Sequence, residues 1–157
     1  MRVRLRTDSP GGAQRPSVAA IEWTDPLMIA GNWTPELVFA AGGISVLVKA
    51  GPSDYATWSD IVLCHPEALI IAPCGFNLER SLIEASRLVD LPGYRDLPAV
   101  TNGRAFVIDG NAYLNRSGPR IVDSLEILAH LIRPDLFEPP GGEMAEGRAW
   151  SRVRTTP

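Results

Sequence analysis

The sequence predicts an α/β fold: a three-layer sandwich in which helices cover both faces of a mainly parallel, four-stranded sheet. Strand-like apolar segments alternate with segments of helical periodicity in the order β-α-β-α-β-α-β-α, and such alternation implies parallel strands joined by crossover helices. Residues 68–73 are apolar without interruption, which is typical of a parallel strand covered on both faces. The chain has 157 residues, 45% of them hydrophobic, and therefore suits one domain with its own core.

The first half of the chain supplies two strands and two helices. The strands are predicted over residues 18–23 and 44–48, and the helices over 34–41 and 57–65. Thr34 is a favourable N-cap and Pro35 suits the first helical turn, whereas the Gly42-Gly43 pair ends that helix. Pro66 stops the second helix because proline lacks the N–H that a helix interior needs.

The second half repeats the alternation with strands over residues 68–73 and 105–109 and helices over 77–89 and 118–132. Asn77 is a favourable N-cap for the third helix. Both helices carry an apolar stripe at helical spacing. The stripes consist of Leu78, Leu82, Ala85 and Val89 in one helix and Ile121, Leu125, Leu128 and Ile132 in the other.

The folded domain is predicted to cover residues 17–134. Residues 1–16 have no usable periodicity and are predicted to be disordered. Residues 135–157 are rich in proline, glycine and charge, so we predict a flexible tail.

Composition excludes several classes of function. The formal charge of −3 gives no electrostatic footprint for nucleic acid, and no apolar run is long enough to span a membrane.

Cys64 and Cys74 have no zinc-binding spacing; they are expected to be core residues, or else a disulfide pair. The first residues contain no secretory signal, so the chain as written is expected to be cytoplasmic. No metal site is predicted.

Aromatic, glycine and amide residues collect where the predicted strands end. In open α/β sheets, ligands bind outside the carboxyl ends of the strands, and that rule gathers the segments 23–33, 73–76 and 109–113, with Tyr55 nearby. Such a lining suits a large polycyclic ligand. Trp23 and Trp33 have an alternative interpretation as core or helix-staple residues.

Catalysis is not indicated. His65 and His130 lie outside the strand-end group, and Cys74 has no neighbouring base in sequence. Asp25 and Asp109 end strands, as catalytic carboxylates can, but turn and capping duties explain them equally well. A small hydrolase or transferase that uses Asp25, Asp109 and Cys74 therefore stays only as an alternative.

Four sequence blocks carry a resemblance to a known family. They are IEWTDPLMIAGNWTPELV at residues 21–38, AAGG at 40–43, APCGF at 72–76 and NRSGPRI at 115–121. Together they resemble the C-terminal lobe of cobalamin-type ABC-transporter solute-binding proteins, which have the class III periplasmic-binding fold. The likeness covers about residues 16–134.

The resemblance implies a non-catalytic lobe that binds cobalamin or a related corrinoid as the transported ligand, with no intrinsic cofactor. The alternative ligand within the same fold is a ferric siderophore or haem. The ligand-binding residues implied are Trp23, Asp25, Pro26, Trp33, Tyr55, Gly75, Phe76 and Tyr113. Asp60 stands beside Ser59, which occupies the position where relatives carry the acidic residue that docks to the permease, so Asp60 is the implied docking residue.

The resemblance also implies parts that this sequence does not contain. Members have a second, N-terminal lobe and a long connecting helix, of which residues 1–16 would be a remnant. They work outside the cytoplasmic membrane and deliver the ligand to ABC permease subunits. The expected partners are therefore the ligand, the permease, and either a separate N-terminal lobe or a second copy that covers the open face.

Overall fold

The structure, a computed structural model, describes residues 14–48, 51–116 and 118–154. Its strands are β1 (Ser17–Thr24), β2 (Leu27–Ile29), β3 (Ile44–Ser45), β4 (Asp54–Tyr55), β5 (Ala68–Ile71), β6 (Ala105–Ile108) and β7 (Trp150–Arg152). Its helices are α1 (Thr34–Ala40), α2 (Trp58–Cys64), α3 (Leu78–Val89), α4 (Pro98–Thr101) and α5 (Ile121–Ile132). None of the described helices is long and apolar enough to cross a membrane.

All seven strands form one mixed sheet in the order β4-β2-β1-β5-β6-β7, with β3 paired to β1. The strands β1, β5 and β6 are parallel neighbours, and β3 is parallel to the start of β1. The four predicted parallel strands are thus confirmed. Strands β2 and β4 add an antiparallel flank on one side, and β7 adds one on the other.

The second predicted strand is shorter than expected. Strand β3 pairs only with Ser17 and Val18 of β1. From Ile21 onwards the same side of β1 is occupied by β2. Because β2 and β3 pair with the same side of β1, β3 ends where the backbone hydrogen-bonding groups of β1 pair with β2 instead.

The boundary at residue 134 needs correction, because part of the predicted tail belongs to the sheet. Strand β7 pairs antiparallel with β6. Trp150 is only 1% exposed, its ring centroid lies 5.8 Å from that of Phe106, and its Nε1 donates to the Met144 carbonyl at 3.1 Å. A three-residue strand is too short to show a period among prolines and glycines, so the sequence pattern misses it.

The predicted N-terminal segment lies mostly outside the described residues, since the description begins at residue 14. Its last two residues contact the domain. Arg15 Nη1 donates to the Phe39 carbonyl at 2.6 Å. The Pro16 carbonyl accepts from the Ile44 amide at 2.9 Å.

The core has two halves, one on each face of the sheet. Ala68 and Ile70 face the half built with α1 and α5, whereas Leu69 and Ile71 face the half built with α2, α3 and α4. All four side chains are fully buried. This arrangement confirms the three-layer sandwich and explains why β5 is apolar throughout.

Helix ends agree with the sequence at two helices and differ at two. Thr57 and Asp60 form a capping box on α2, and the Asn77 side chain accepts from the Arg80 amide at 3.0 Å on α3. Thr34 is the first residue of α1 and not its cap; Trp33 takes that place without a side-chain cap bond. Helix α5 begins at residue 121, later than predicted. Both cysteines are free, so the disulfide alternative is wrong; Cys74 is exposed and Cys64 is only partly buried, so the expectation of two core residues is wrong as well.

Candidate functional site

The carboxyl ends of β1 and β5 bring two predicted ligand-binding aromatics into contact. The ring centroids of Trp23 and Phe76 lie 5.1 Å apart at an interplanar angle of 45°. Trp23 lies two residues after Ile21, the last core residue of β1, and its Nε1 donates to the Asp25 carbonyl at 3.0 Å. Gly75 makes the turn that presents Phe76, with φ +77°, a conformation that glycine adopts without strain. The sequence-based expectation that these segments meet is therefore met.

The Trp23–Phe76 pair is continued across the antiparallel flank. The register places Trp23 opposite Met28 and Met28 opposite Tyr55, and residues that are directly opposite in a sheet project from the same face. Tyr55 is 68% exposed. We call Trp23, Met28, Tyr55 and Phe76 the apolar row. Asp25 and Pro26 are exposed in the turn beside it.

One end of the apolar row is bordered by positive charge. The Arg80 guanidinium carbon lies 5.2 Å from the centroid of the Phe76 ring, a cation–π distance. Its Nη2 is 2.8 Å from Glu84 Oε1. Glu84 is buried and also contacts Arg87 at 2.8 Å and the Thr24 hydroxyl at 3.3 Å. Glu84 therefore ties α3 to the end of β1 and holds Arg80 beside the row.

A second arginine lies on the loop that follows β6. Arg116 Nη2 donates to Asn111 Oδ1 at 2.8 Å. Because that acceptor is a neutral amide, the charge of Arg116 is not neutralised by the contact.

A small polar pocket lies next to the apolar row at the same sheet edge. It has a volume of about 120 Å³, and we call it the Glu22 pocket. Its lining residues are Glu22, Gly31, Asn32, Trp33, Thr34, Cys74, Leu114 and Asn115. Trp33, predicted to bind ligand, lies here and not in the row; its Nε1 donates to the Leu114 carbonyl at 2.9 Å.

Sequence reasoning missed Glu22. Its Oε2 accepts from the Ser53 hydroxyl at 2.7 Å, and the Ser53 oxygen accepts from the Gly31 amide at 3.0 Å. The available signal was a carboxylate inside an otherwise apolar strand, directly before its carboxyl end.

Two other predicted residues have structural roles. Tyr113 lies in a π-helical turn at Gly110–Leu114, is only 6% exposed, and donates from its hydroxyl to the Glu143 carbonyl at 3.1 Å. Burial raises the pKa of Tyr113. The turn directs the ring into the core, so the structure does not bring Tyr113 to the apolar row.

Asp60 closes the capping box of α2. Its Oδ2 accepts from the Thr57 amide at 2.8 Å and the Thr57 hydroxyl at 2.7 Å. These hydrogen bonds, the hydroxyl foremost, hold the pKa of Asp60 below its usual range. Its role in docking stays a prediction.

Asp109 and His130 make local contacts, and the described residues contain no metal-binding cluster. No group of three or more His, Cys, Asp or Glu side chains there is placed to hold a metal ion. Asp109 Oδ1 accepts from the Ala112 amide at 2.7 Å, which is the turn duty anticipated from sequence. His130 Nδ1 lies 2.9 Å from the Phe137 carbonyl, away from the apolar row.

A larger groove of about 380 Å³ lies between α3 and β7. Its floor is formed by Leu82, Ala85, Val89 and Val153. It shares no residue with the row or with the Glu22 pocket, and it lies outside the loops where ligands of open α/β sheets bind. We therefore place the candidate site at the carboxyl ends of β1 and β5.

Comparison with known proteins gives relatives by structure alone. No protein-family model and no curated protein sequence matches the chain. An ABC transporter substrate-binding protein from Listeria monocytogenes EGD-e matches with a TM-score of 0.68 and 14% identity, over 77% of this chain and 48% of its own.

Two further structures are named for their ligand. A periplasmic heme-binding protein from Pseudomonas aeruginosa matches with a TM-score of 0.66 and 19% identity, over 90% of this chain and 49% of its own. The periplasmic heme-binding protein RhuT from Roseiflexus sp. RS-1 matches with a TM-score of 0.61 and 25% identity, over 77% of this chain and 47% of its own.

The chain therefore spans about half the length of the structures it matches. At these identities the likeness concerns the fold. The chain has the fold of one lobe of a periplasmic solute-binding protein of an ABC transporter.

Proposed function

We propose that this chain is a non-catalytic ligand-binding lobe of an ABC-transporter substrate-binding protein, and that the apolar row holds one face of a haem. The observation that carries the proposal is the row itself, in which Trp23 packs on Phe76 and Tyr55 stands 68% exposed at the carboxyl ends of the strands. Structural neighbours named as heme-binding proteins support this choice of ligand.

The chemistry of the row suits a porphyrin. A flat, largely apolar macrocycle gains from stacking on aromatic faces. Arg80 lies beside the Phe76 ring, and Arg116 contacts Asn111, whose backbone amide donates to the Phe76 carbonyl at 3.1 Å. These two arginines are the groups that would pair with acidic substituents, since guanidinium binds carboxylate through two parallel hydrogen bonds. The exposed phenol of Tyr55 is a side chain of the kind that ligates haem iron.

The corrinoid predicted from sequence is the competing ligand. The row would also stack on a corrin ring, but neighbouring structures that are named for a ligand are named for heme or for iron. A ferric siderophore is the third candidate, because two arginines would favour an anionic chelate.

The first test is an absorbance titration of the purified chain with ferric protoporphyrin IX, a ferric trihydroxamate and cyanocobalamin. We expect saturable spectral change with the porphyrin. Phe76→Ala should weaken it about tenfold, which corresponds to the loss of one aromatic contact. Tyr55→Phe should weaken porphyrin binding less than Phe76→Ala does, because the aromatic ring remains. It should change the absorbance spectrum of the bound porphyrin, because the phenol oxygen is lost.

Phe137→Ala is the control, since this phenylalanine is accessible to solvent (44% exposed) but lies beyond the end of α5. Equal loss in Phe76→Ala and Phe137→Ala would contradict the assignment of the row. Saturable binding of cyanocobalamin alone would show that the ligand is a corrinoid. The assignment as a ligand-binding lobe would then stand, and the choice of haem would be wrong.

The partners of the whole protein are also part of the proposal. A permease, an extracytoplasmic location and a second lobe or second copy are proposed from the fold. Asp60 on the exposed start of α2 is the proposed docking residue. Asp60→Ala and Thr57→Ala both break the α2 capping box, but only the first removes the carboxylate. Weaker permease binding in Asp60→Ala alone would support docking through Asp60; equal weakening would attribute the effect to the helix.

A further inference from the structure

We infer that the Glu22 pocket binds a small organic cation, an alkylammonium or guanidinium group. The pocket shares no residue with the apolar row, so the inference does not depend on which ligand the row binds. It rests on the charge, the construction and the size of the pocket.

The charge of the pocket comes from one carboxylate. Among the described residues of the lining, Glu22 is the only ionisable acid or base apart from the thiol of Cys74. Among the described residues no arginine lies within salt-bridge distance of the Glu22 carboxylate. Ser53 donates to Oε2, which leaves Oε1 available to a donor in the pocket. A partly buried carboxylate that pairs with no arginine of the described residues favours a positively charged N–H donor.

The position of Glu22 is fixed by backbone that approaches unusually closely. A Cβ on Gly31 would lie 2.4 Å from the Pro52 carbonyl carbon and 2.5 Å from the Ser53 nitrogen. Only glycine permits this approach, which brings Ser53 between the Gly31 amide and Glu22. The Asn32 amide donates to the Gly51 carbonyl at 2.8 Å and closes the same contact. The hydrogen-bond chain orients the carboxylate in advance of binding.

The walls add aromatic and amide groups. Trp33 lines the pocket and is anchored through its indole N–H, and tryptophan is the aromatic residue that binds cations best. Asn115 donates from Nδ2 to the Ala72 carbonyl at 2.9 Å, so its Oδ1 is the part of the amide that remains to accept from a ligand. Carboxylate, amide oxygen and indole together make an acceptor-rich pocket.

The size excludes larger ligands. A volume of about 120 Å³ is below the roughly 300 Å³ at which pockets for drug-sized ligands begin. A macrocycle does not fit, whereas a guanidinium or alkylammonium head does. A bare metal ion is disfavoured because the lining offers one carboxylate and one thiol where metal sites use three or four strong ligands.

The test is an NMR titration of the purified protein with methylguanidinium chloride and with ethylammonium chloride, with sodium chloride to hold ionic strength constant. We expect saturable shifts of the Trp33 indole N–H and the Asn115 side-chain amide. Neutral acetamide, of similar size, should bind at least about tenfold more weakly, because it lacks the charge that strengthens a hydrogen bond to carboxylate.

Glu22→Gln keeps the shape and an acceptor for Ser53 but removes the charge, and should weaken the cation about tenfold or more. Glu67→Gln is the matched control, because Glu67 also accepts from a serine hydroxyl (Ser17, 3.3 Å) but precedes β5 at the other edge of the sheet. It should leave the affinity unchanged. Ser53→Ala keeps the charge and loses the orienting bond, so a smaller loss is expected there.

Three results would overturn the inference: no saturable shift with either cation, acetamide binding as tightly as methylguanidinium, or unchanged affinity in Glu22→Gln. Dispersed amide spectra of the variants show that each is folded, so a loss of affinity in Glu22→Gln reports on the pocket and not on the domain.

Discussion

The two antiparallel flanks of the sheet differ in whether their tryptophan is buried in the core or partly exposed. On the β7 side, Trp150 is 1% exposed, packs edge-on against Phe106 and lies 5.7 Å from the His130 ring. On the β2–β4 side, Trp23 is half-buried and leads to Tyr55, which is 68% exposed. One flank closes a core, and the other leaves an aromatic surface in solvent.

The difference follows from what covers each flank. The segment before β7 folds back, and Met144 and Ala149 belong to the same core half as Trp150. Within the described part of the chain, strand β4 has no such cover, because α2 begins three residues after it and packs on the opposite core half. An exposed aromatic row that is not required to close the core is typical of a binding surface.

The largest expected effect is on the closed flank. Trp150→Ala should lower the free energy of unfolding by about 3–5 kcal/mol, because it empties a buried aromatic site. Chemical denaturation measures it, and ligand affinity of the folded protein should be unchanged. A loss below about 1 kcal/mol would mean that β7 is not an integral strand and that the two flanks do not differ.

The next effect concerns the loop that joins the open flank to the pocket. Gly31→Ala should cost about 1–3 kcal/mol, the range for overpacking, because its Cβ would overlap Pro52 backbone at 2.4 Å. Gly141→Ala is the control, since nothing lies within 4 Å of its Cβ position. Equal thermal unfolding midpoints for the two variants would contradict the close approach.

A smaller effect of opposite sign is expected behind the open flank. Tyr94 is fully buried against Trp58, with ring centroids 6.0 Å apart, and its hydroxyl has no hydrogen-bond partner among the described residues. Tyr94→Phe should therefore raise the free energy of unfolding by about 1 kcal/mol, since it removes a buried unsatisfied group. A loss of stability would show that the hydroxyl does have a partner.

The same residue predicts an alkaline pH dependence. Burial raises the pKa of Tyr94 to about 12, whereas the unfolded chain titrates near 10, roughly the unperturbed value. Between these values the folded state binds more protons, so its stability falls as pH rises. The fall between about pH 10 and 12 should be shallower in Tyr94→Phe; an identical slope would contradict burial as the cause.

The smallest effect on stability should come from the open flank itself. Tyr55→Ala should change the free energy of unfolding by less than about 0.5 kcal/mol, as exposed substitutions do, while it weakens binding to the row. Chemical denaturation measures the change in stability, and ligand titration of the same variant measures the change in binding. A loss of stability like that of Trp150→Ala would remove the contrast between the flanks.

The parallel centre of the fold was predictable from sequence because each element carries its own period. Residues 68–71 read as a strand apolar on both faces, and Asn77 marks the start of a helix by a local hydrogen bond. The meeting of Trp23 and Phe76 followed from one rule, that parallel strands end at the same edge.

The flanks were not predictable in this way. Strands β2, β4 and β7 have two or three residues each, which is too short for alternation to register. Their existence depends on partners distant in sequence. Tyr113 was misplaced for a related reason: a π-helical turn changes the direction of the ring without any sequence signal. Glu22 lies where the register of β1 shifts between Ile21 and Trp23, and alternation cannot assign a face at such a bulge.

Strand β1 pairs with β2, β3 and β5, more partners than any other strand of the described chain. Separating it requires the rupture of all three ladders, so its amides should be among the slowest to exchange with deuterium in the native state. Both Glu22 and Trp23 are carried by this strand. The candidate site is thus attached to the slowest-opening part of the molecule, and its geometry should persist through fluctuations that expose the peripheral strands and termini.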